Sequence, residues 1–283
     1  MLQLKSFFSI ATCALTLCAT FSACSDDDGQ ELENPAPFNA PLTITVNGVS
    51  FVMMPVEGGT FTMGATEEQS GADRDKLPTH DVTLSSFYIG QTEVTQALWR
   101  AVTGYSPTNG AISSWDLSHG LGGNYPAYYI NYNDVQSFIT KLNSLTGRTF
   151  RMPTEAEWEY AARGGSKSKG YLYSGGNTLS DVGWYDDNSG NNTYPVAQKT
   201  ANELGLYDMS GNVWEWCSDW YGPYSSSSQT NPTGPSTGSH RVLRGGGWTY
   251  GAALCRVSYR TGQKPSSRGS DIGVRLALSY SQK

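Results

Sequence analysis

The sequence predicts a loop-rich α+β domain with little regular secondary structure. Three short stretches carry helical periodicity, β-branched runs early in the chain read as strands, and the second half is dense in Gly, Ser, Asn, Tyr and Trp without a long periodic segment. Loops of that length need something to order them, and metal ions or aromatic packing are the usual means.

Taken in order, residues 25–41 are acidic and then Pro-rich, without apolar periodicity, and read as a flexible spacer. The domain begins with Thr43 to Val46, Asn47-Gly48, and Val49 to Val52. Asn-Gly between β-branched runs predicts a hairpin, because both residues tolerate positive φ. Further strands are predicted at Val82 to Leu84 and Phe87 to Ile89. Val94, Ala97, Leu98, Ala101 and Val102 follow helical spacing, with Gly104 as the stop. A second helix is expected from an Asn133 cap, with Val135, Phe138, Ile139 and Leu142 on its inner face and Gly147 at its end. A third opens on the capping box Thr154 to Glu157 and ends at Gly164-Gly165. There is no internal repeat.

The N-terminus has the order of a secretory leader: Lys5, the apolar run Phe7 to Phe21, and then small residues before Cys24. Phe21-Ser22-Ala23-Cys24 resembles a bacterial lipobox, in which the cysteine is acylated and becomes the mature N-terminus; the alternative is ordinary cleavage beside a chance cysteine. The expected organisation is a leader over 1–23, a lipid anchor on Cys24 with a tether to residue 41, and one domain over 42–283. The acyl chains would hold the protein to a membrane. Asp26 to Asp28 resemble the acidic tether of surface-exposed outer-membrane lipoproteins, which gives a bacterial cell-envelope location. No later stretch is apolar enough to span a bilayer.

The formal net charge is −6, and removal of the leader takes away one further positive charge, Lys5. An acidic chain lacks the basic face that nucleic-acid binding requires, so that partner class is excluded. Cys13 and Cys18 lie in the leader, leaving Cys217 and Cys255 in the domain, whose pairing sequence spacing does not decide.

Four segments, in order, resemble the sulfatase-modifying-factor family, whose founding activity is formylglycine generation. They are Met54 to Gly64 (Met-Pro-Val-Glu-Gly-Gly-Thr-Phe-Thr-Met-Gly), Phe150 to Gly164 (containing Pro-Thr-Glu-Ala-Glu-Trp-Glu-Tyr-Ala-Ala-Arg-Gly), Asn202 to Trp216 (containing Gly-Leu-Tyr-Asp-Met-Ser-Gly-Asn-Val-Trp-Glu-Trp), and Arg241 to Trp248 (Arg-Val-Leu-Arg-Gly-Gly-Gly-Trp). Gly273 to Leu276 closes the run. The resemblance implies a decorated C-type-lectin-like α+β fold, in agreement with the element pattern.

Function has to be read from the site rather than the fold. The family's oxidase uses two cysteine thiolates, five residues apart after the Arg-Gly-Gly turn, to bind Cu(I), a soft ion that soft sulfur selects. Here those positions carry Tyr250 and Cys255. A phenol, with an ordinary pKa of about 10, is a hard and neutral ligand. One thiolate and one phenol do not make a dithiolate copper centre. The resemblance also implies structural calcium, held by Asp208 and Glu215 carboxylates with the Gly211 and Val213 carbonyls; the alternative is that Asp208 caps a turn and Glu215 pairs with an arginine. A second calcium set would be Asn188 with the carbonyls of Val182, Gly183 and Gly190. His80, His119 and His240 form no ligand or nucleophile motif. Tyr250 to Asp271 is rich in the residues of adaptable recognition loops, giving Tyr250, Arg256, Tyr259, Arg260 and Arg268 as candidate ligand contacts; the alternative is ordinary packed or solvated loop.

The expected function is a non-catalytic envelope lipoprotein acting in ligand or protein binding, with an envelope protein or a surface ligand as partner, or in envelope assembly. A copper-dependent formylglycine-generating oxidase and a displayed, hypervariable lectin-like binder are the alternatives.

Overall fold

The computed structural model describes residues 38–69, 74–109, 112–113 and 115–280. The predicted leader, Cys24 and most of the tether lie outside the described residues.

The chain enters through β1 (Leu42–Val46) and β2 (Val49–Val56), joined by the expected turn, with Asn47 at φ 48° and Gly48 at φ 79°. Next come β3 (Gly59–Met63), β4 (His80–Leu84) and β5 (Phe87–Gly90). Helix α1 (Gln96–Thr103) is capped by the Thr95 side chain, which accepts from the Leu98 N–H, and stops at left-handed Gly104. Two short strands, β6 (Thr108–Asn109) and β7 (Ile112–Ser113), follow.

Helix α2 (Tyr132–Thr146) starts before the expected cap. Asn131, not Asn133, caps it, in a reciprocal capping box with Asp134. Either asparagine fits the sequence pattern; the box selects the one three residues before an acid. After β8 (Phe150–Arg151), α3 (Glu155–Ala162) opens on the Thr154 and Glu157 box as predicted, and then the single-turn α4 (Leu179–Val182) appears, which the sequence reading missed. The remaining strands are β9 (Trp214–Trp220), β10 (Gln229–Thr230), β11 (Arg241–Arg244), β12 (Arg260–Gln263), β13 (Ile272–Gly273) and β14 (Ala277–Ser279).

Three larger sheets organise these strands. One is antiparallel with order β1-β2-β5-β14-β8, a second has order β10-β4-β3, and a third β12-β11-β9-β13. Helices α1 and α2 pack on the first, with Trp99 and Phe138 stacked at 4.8 Å between centroids. Helix α3 sits in a second cluster with Trp158 and Tyr160, and all eight of its residues are buried.

That burial dictates the electrostatics around α3. A buried carboxylate needs a partner, and each glutamate of α3 finds an arginine. Glu155 takes a bidentate pair of bonds from Arg260, at 2.7 and 2.6 Å. Glu157 takes a second bidentate pair from Arg151. Glu159 accepts from Arg244 at 2.5 Å and from Arg163 at 2.9 Å, and also from the Gly64 N–H. Burial alone would raise the Glu155 carboxyl, but Arg260 and Arg244 hold it below its ordinary value. The family segments noted in the sequence are therefore joined in space: Gly64 and Arg163 meet at Glu159, and Arg244 from the third sheet closes the lattice.

Candidate functional site

The site begins where β11 ends. Gly245 and Gly246 both adopt left-handed backbone, at φ 98° and 76°. A Cβ on Gly246 would lie 2.6 Å from the Cys255 sulfur, so the turn closes directly onto that thiol. Cys255 ends a short 3-10 turn, Ala252–Cys255, and is fully buried in a small cluster with Tyr173, Leu179 and Val182. Burial pushes its pKa up to about 12, although the Gly247 N–H donates to the sulfur. Burial thus disfavours the thiolate, the form that binds metal or attacks.

Tyr250 is half-buried, edge-on to Trp214 at 5.4 Å. Burial and the neighbouring Asp271 carboxylate push its phenol up to about 12 as well. Cys217 lies in β9, fully buried in the α3 cluster with its thiol raised far above the ordinary range by burial and by Asp219. Both cysteines are free and belong to separate clusters, which settles the pairing left open by the sequence.

The predicted calcium residues divide. Glu215 does not offer open oxygens: Arg275 donates to it from Nε at 3.0 and 3.1 Å and from Nη2 at 2.7 Å, and the Trp158 indole donates at 2.6 Å. The arginine pairing, the alternative to a calcium role, is what the fold uses. Asp208 accepts from the Ala197 N–H through Oδ2, while its buried Oδ1 has no partner among the described residues. Burial raises its carboxyl to about 6. Gly211 packs against the Trp184 backbone, and Val213 is fully buried just before β9.

In the second predicted set, the Asn188 amide donates to the Gly183 carbonyl at 2.9 Å and its oxygen accepts from the Tyr185 N–H at 2.8 Å. The asparagine thus staples its own loop. Val182 is buried at the end of α4, and Gly190 sits exposed in the loop at φ 58°.

Glu93 was not identified from the sequence. It lies just before α1, fully buried, with neither carboxylate oxygen partnered among the described residues, and burial together with Asp208 raises its pKa well above the ordinary value. The two carboxylates are close enough to repel, three of their oxygens have no partner among the described residues, and the Arg275 guanidinium, turned to Glu215, lies within the field of both, which makes the pair a candidate hard-cation site. Among the described residues no group of three His, Cys, Asp or Glu side chains is arranged for a metal ion, so such a site would need carbonyl oxygens as well. The signal in the sequence was a lone glutamate between the buried strand at Phe87 to Gly90 and an amphipathic helix.

The predicted recognition loop is only partly a surface. Tyr250 and Tyr259 flank Trp214 as half-buried rings, with the Lys76 ammonium 3.9 Å from the centre of the Tyr259 ring, and Arg256 is half-buried nearby in sequence. Arg260 is not a surface contact. It is 2% exposed and spent on Glu155 and on the carbonyls of Asp75 and Gly222. Arg268 is partly exposed and paired with Asp134.

Comparison with known proteins agrees with this geometry. The sulfatase-modifying factor enzyme 1-like domain family matches residues 46–280. The chain is 34% identical over 272 residues to "Chaperone protein LppX" of Paenibacillus barcinonensis, covering 82% of this chain and 90% of that protein. It is 30% identical over 280 residues to the formylglycine-generating enzyme of Streptomyces coelicolor, covering 78% and 87%. Among solved structures, "Treponema denticola variable protein 1" superposes with a TM-score of 0.74 at 33% identity, over 85% of this chain and 99% of that one. The mixed sheets and helices are the decorated lectin-like α+β fold that the sequence resemblance implied. The chain belongs to the sulfatase-modifying factor enzyme 1-like domain family.

Proposed function

We propose that this protein is an envelope lipoprotein whose formylglycine-generating-enzyme-like domain binds a protein or ligand and does not oxidise cysteine. The observation that carries the reading is the lone, buried, neutral thiol of Cys255, with Tyr250 at the position of the second sulfur. Copper-dependent oxidation needs two thiolates, and this turn supplies one thiol, held protonated by burial. The similarity to a protein named as a chaperone supports a binding role toward another protein. Half-buried Tyr250 and Tyr259 around Trp214 provide a ready contact face. A lipid on Cys24 tethers the domain to the bacterial outer membrane, with the acidic tether favouring surface display.

Calcium is the structural ion of this reading. Glu93 and Asp208 would hold it, with the Gly211 and Val213 carbonyls as the neutral ligands that the family resemblance implies. Bound there, the ion would supply positive charge to two carboxylates that repel each other inside the protein.

Cu(I) titration of the full chain against a competing chelator, in parallel with Cys255→Ser, tests the proposal. The native chain is expected to bind no more copper than Cys255→Ser does. Tight one-to-one binding by the native chain, lost on the substitution, would overturn the proposal and restore the oxidase reading.

A further inference from the structure

A cavity of about 520 Å³ is lined by neither Tyr250 nor Cys255. It opens between His80 on β4, the first residues of α3, and the segment from Trp220 to Pro235. Its volume lies within the range of small-molecule sites. Met63, Pro223 and Pro235 give it apolar walls, and Tyr224 stands with its hydroxyl on Glu155 at 3.1 Å.

The charges around this cavity show what it can hold. Arg260 is the one arginine among the described residues that line it, and it donates to Glu155 from Nε and Nη2 and to two backbone carbonyls from Nη1. An anionic ligand would find that guanidinium already engaged. Asp219 is the opposite case. Its Oδ2 accepts from the Glu155 N–H and the Ser218 hydroxyl, both at 3.0 Å, and it makes no ion pair among the described residues. It is 3% exposed, and burial, with Glu155 next, raises its carboxyl to about 7. Glu155 and Glu157 of α3 face it, Cys217 and Tyr132 lie within its field, and Arg244 and Arg260 are turned to Glu155. His80 lines the same cavity, with Nδ1 on the Pro78 carbonyl and its ring against Tyr224. Left-handed Gly234 lets the rim approach: a Cβ there would lie 2.9 Å from that of Asp219.

We propose that this cavity binds a small organic amine, its ammonium group paired with Asp219 and its carbon skeleton against Trp220, Tyr224 and the prolines. An ionised buried carboxylate without a cation attracts an ammonium ion and repels an anion. Binding requires ionised Asp219, so affinity strengthens as pH rises through neutrality. With a carboxyl at about 7, the ionised fraction changes about tenfold between pH 6 and pH 8.

The test is calorimetry on the full chain with matched ligands. Phenethyl, hexyl and glucose skeletons are each presented as amine, alcohol and carboxylate, at pH 6 and pH 8. At least one amine is expected to bind about tenfold more tightly than its alcohol at pH 8 and to weaken about tenfold at pH 6. Asp219→Asn, shown by its unfolding curve to be folded, should lose the preference for amine, and His80→Gln should keep the pH dependence. Equal binding of alcohols or acids, a pH dependence that follows His80, or no binding by any member at millimolar concentration would each overturn the proposal.

Discussion

Around α3 and β9 four buried carboxylates face arginines: Glu155 with Arg260, Glu157 with Arg151, Glu159 with Arg244 and Arg163, Glu215 with Arg275. Among the described residues, no arginine pairs with Glu93, Asp208 or Asp219. The two sets share burial and differ in partner. The paired set fixes which segments meet, because Arg244, Arg260 and Arg275 each lie at least 60 residues from their glutamates. The unpaired set has no arginine in contact: Arg275, turned to Glu215, only partly offsets the burial that raises Glu93 and Asp208, and burial raises Asp219 too, so these are the places where a cation from outside has something to gain.

Removing one side of a buried pair should have the largest effect. Arg275→Met leaves Glu215 buried with the Trp158 indole but without a countercharge, and is expected to cost about 3–5 kcal/mol in urea unfolding. The double variant Arg275→Met/Glu215→Leu should recover much of that loss. A small single-variant effect would erase the distinction between the two sets.

Calcium should act on the unpaired set. At one hundred times its dissociation constant it should stabilise the fold by about 2.7 kcal/mol in thermal unfolding, and Glu93→Gln or Asp208→Asn should abolish the response. Folding raises both carboxyls, so without metal their contribution is fully present in acid, below the ordinary carboxylate value. It is lost as pH rises through about 6 for Asp208, and further still for Glu93. The calcium response should therefore be larger at pH 8 than at pH 5. An equal response would place the ion elsewhere.

At Cys255, a thiol raised to about 12 should resist alkylation of the native protein at pH 8, where roughly one in ten thousand molecules carries the thiolate. Rapid labelling of Cys255, read by mass spectrometry, would contradict the closed turn. The smallest effect belongs to the exposed pair: Arg268→Ala, which breaks the contact with Asp134, should cost about 0.2–1 kcal/mol.

What the sequence made legible was local. The Asn47-Gly48 turn, the Thr154 capping box and the Gly104 and Gly147 stops are each written within a few residues, and each formed as expected. The family segments placed the fold. Partner choice was not legible. Glu215 and Arg275 are 60 residues apart, and only the parallel pairing of β13 with β9, which sets Gly273 beside Glu215, brings them together. The neighbours of Arg260 have the composition of a recognition loop and predict a surface contact, but composition carries no information about depth. Glu93 and Asp219 were missed for the related reason that an unpaired acid is defined by what does not come near it, which is a property of topology.

The position of β14 has a consequence for how the chain is made. Its three residues lie between β5 and β8, inside the five-stranded sheet that begins with β1 and β2. A ribosome builds that sheet from the edge and leaves its interior until last. Until β14 emerges, β5 and β8 lack the strand that pairs them, and the nascent sheet stays open, dependent on whatever shields it, while everything between β8 and β14 is made.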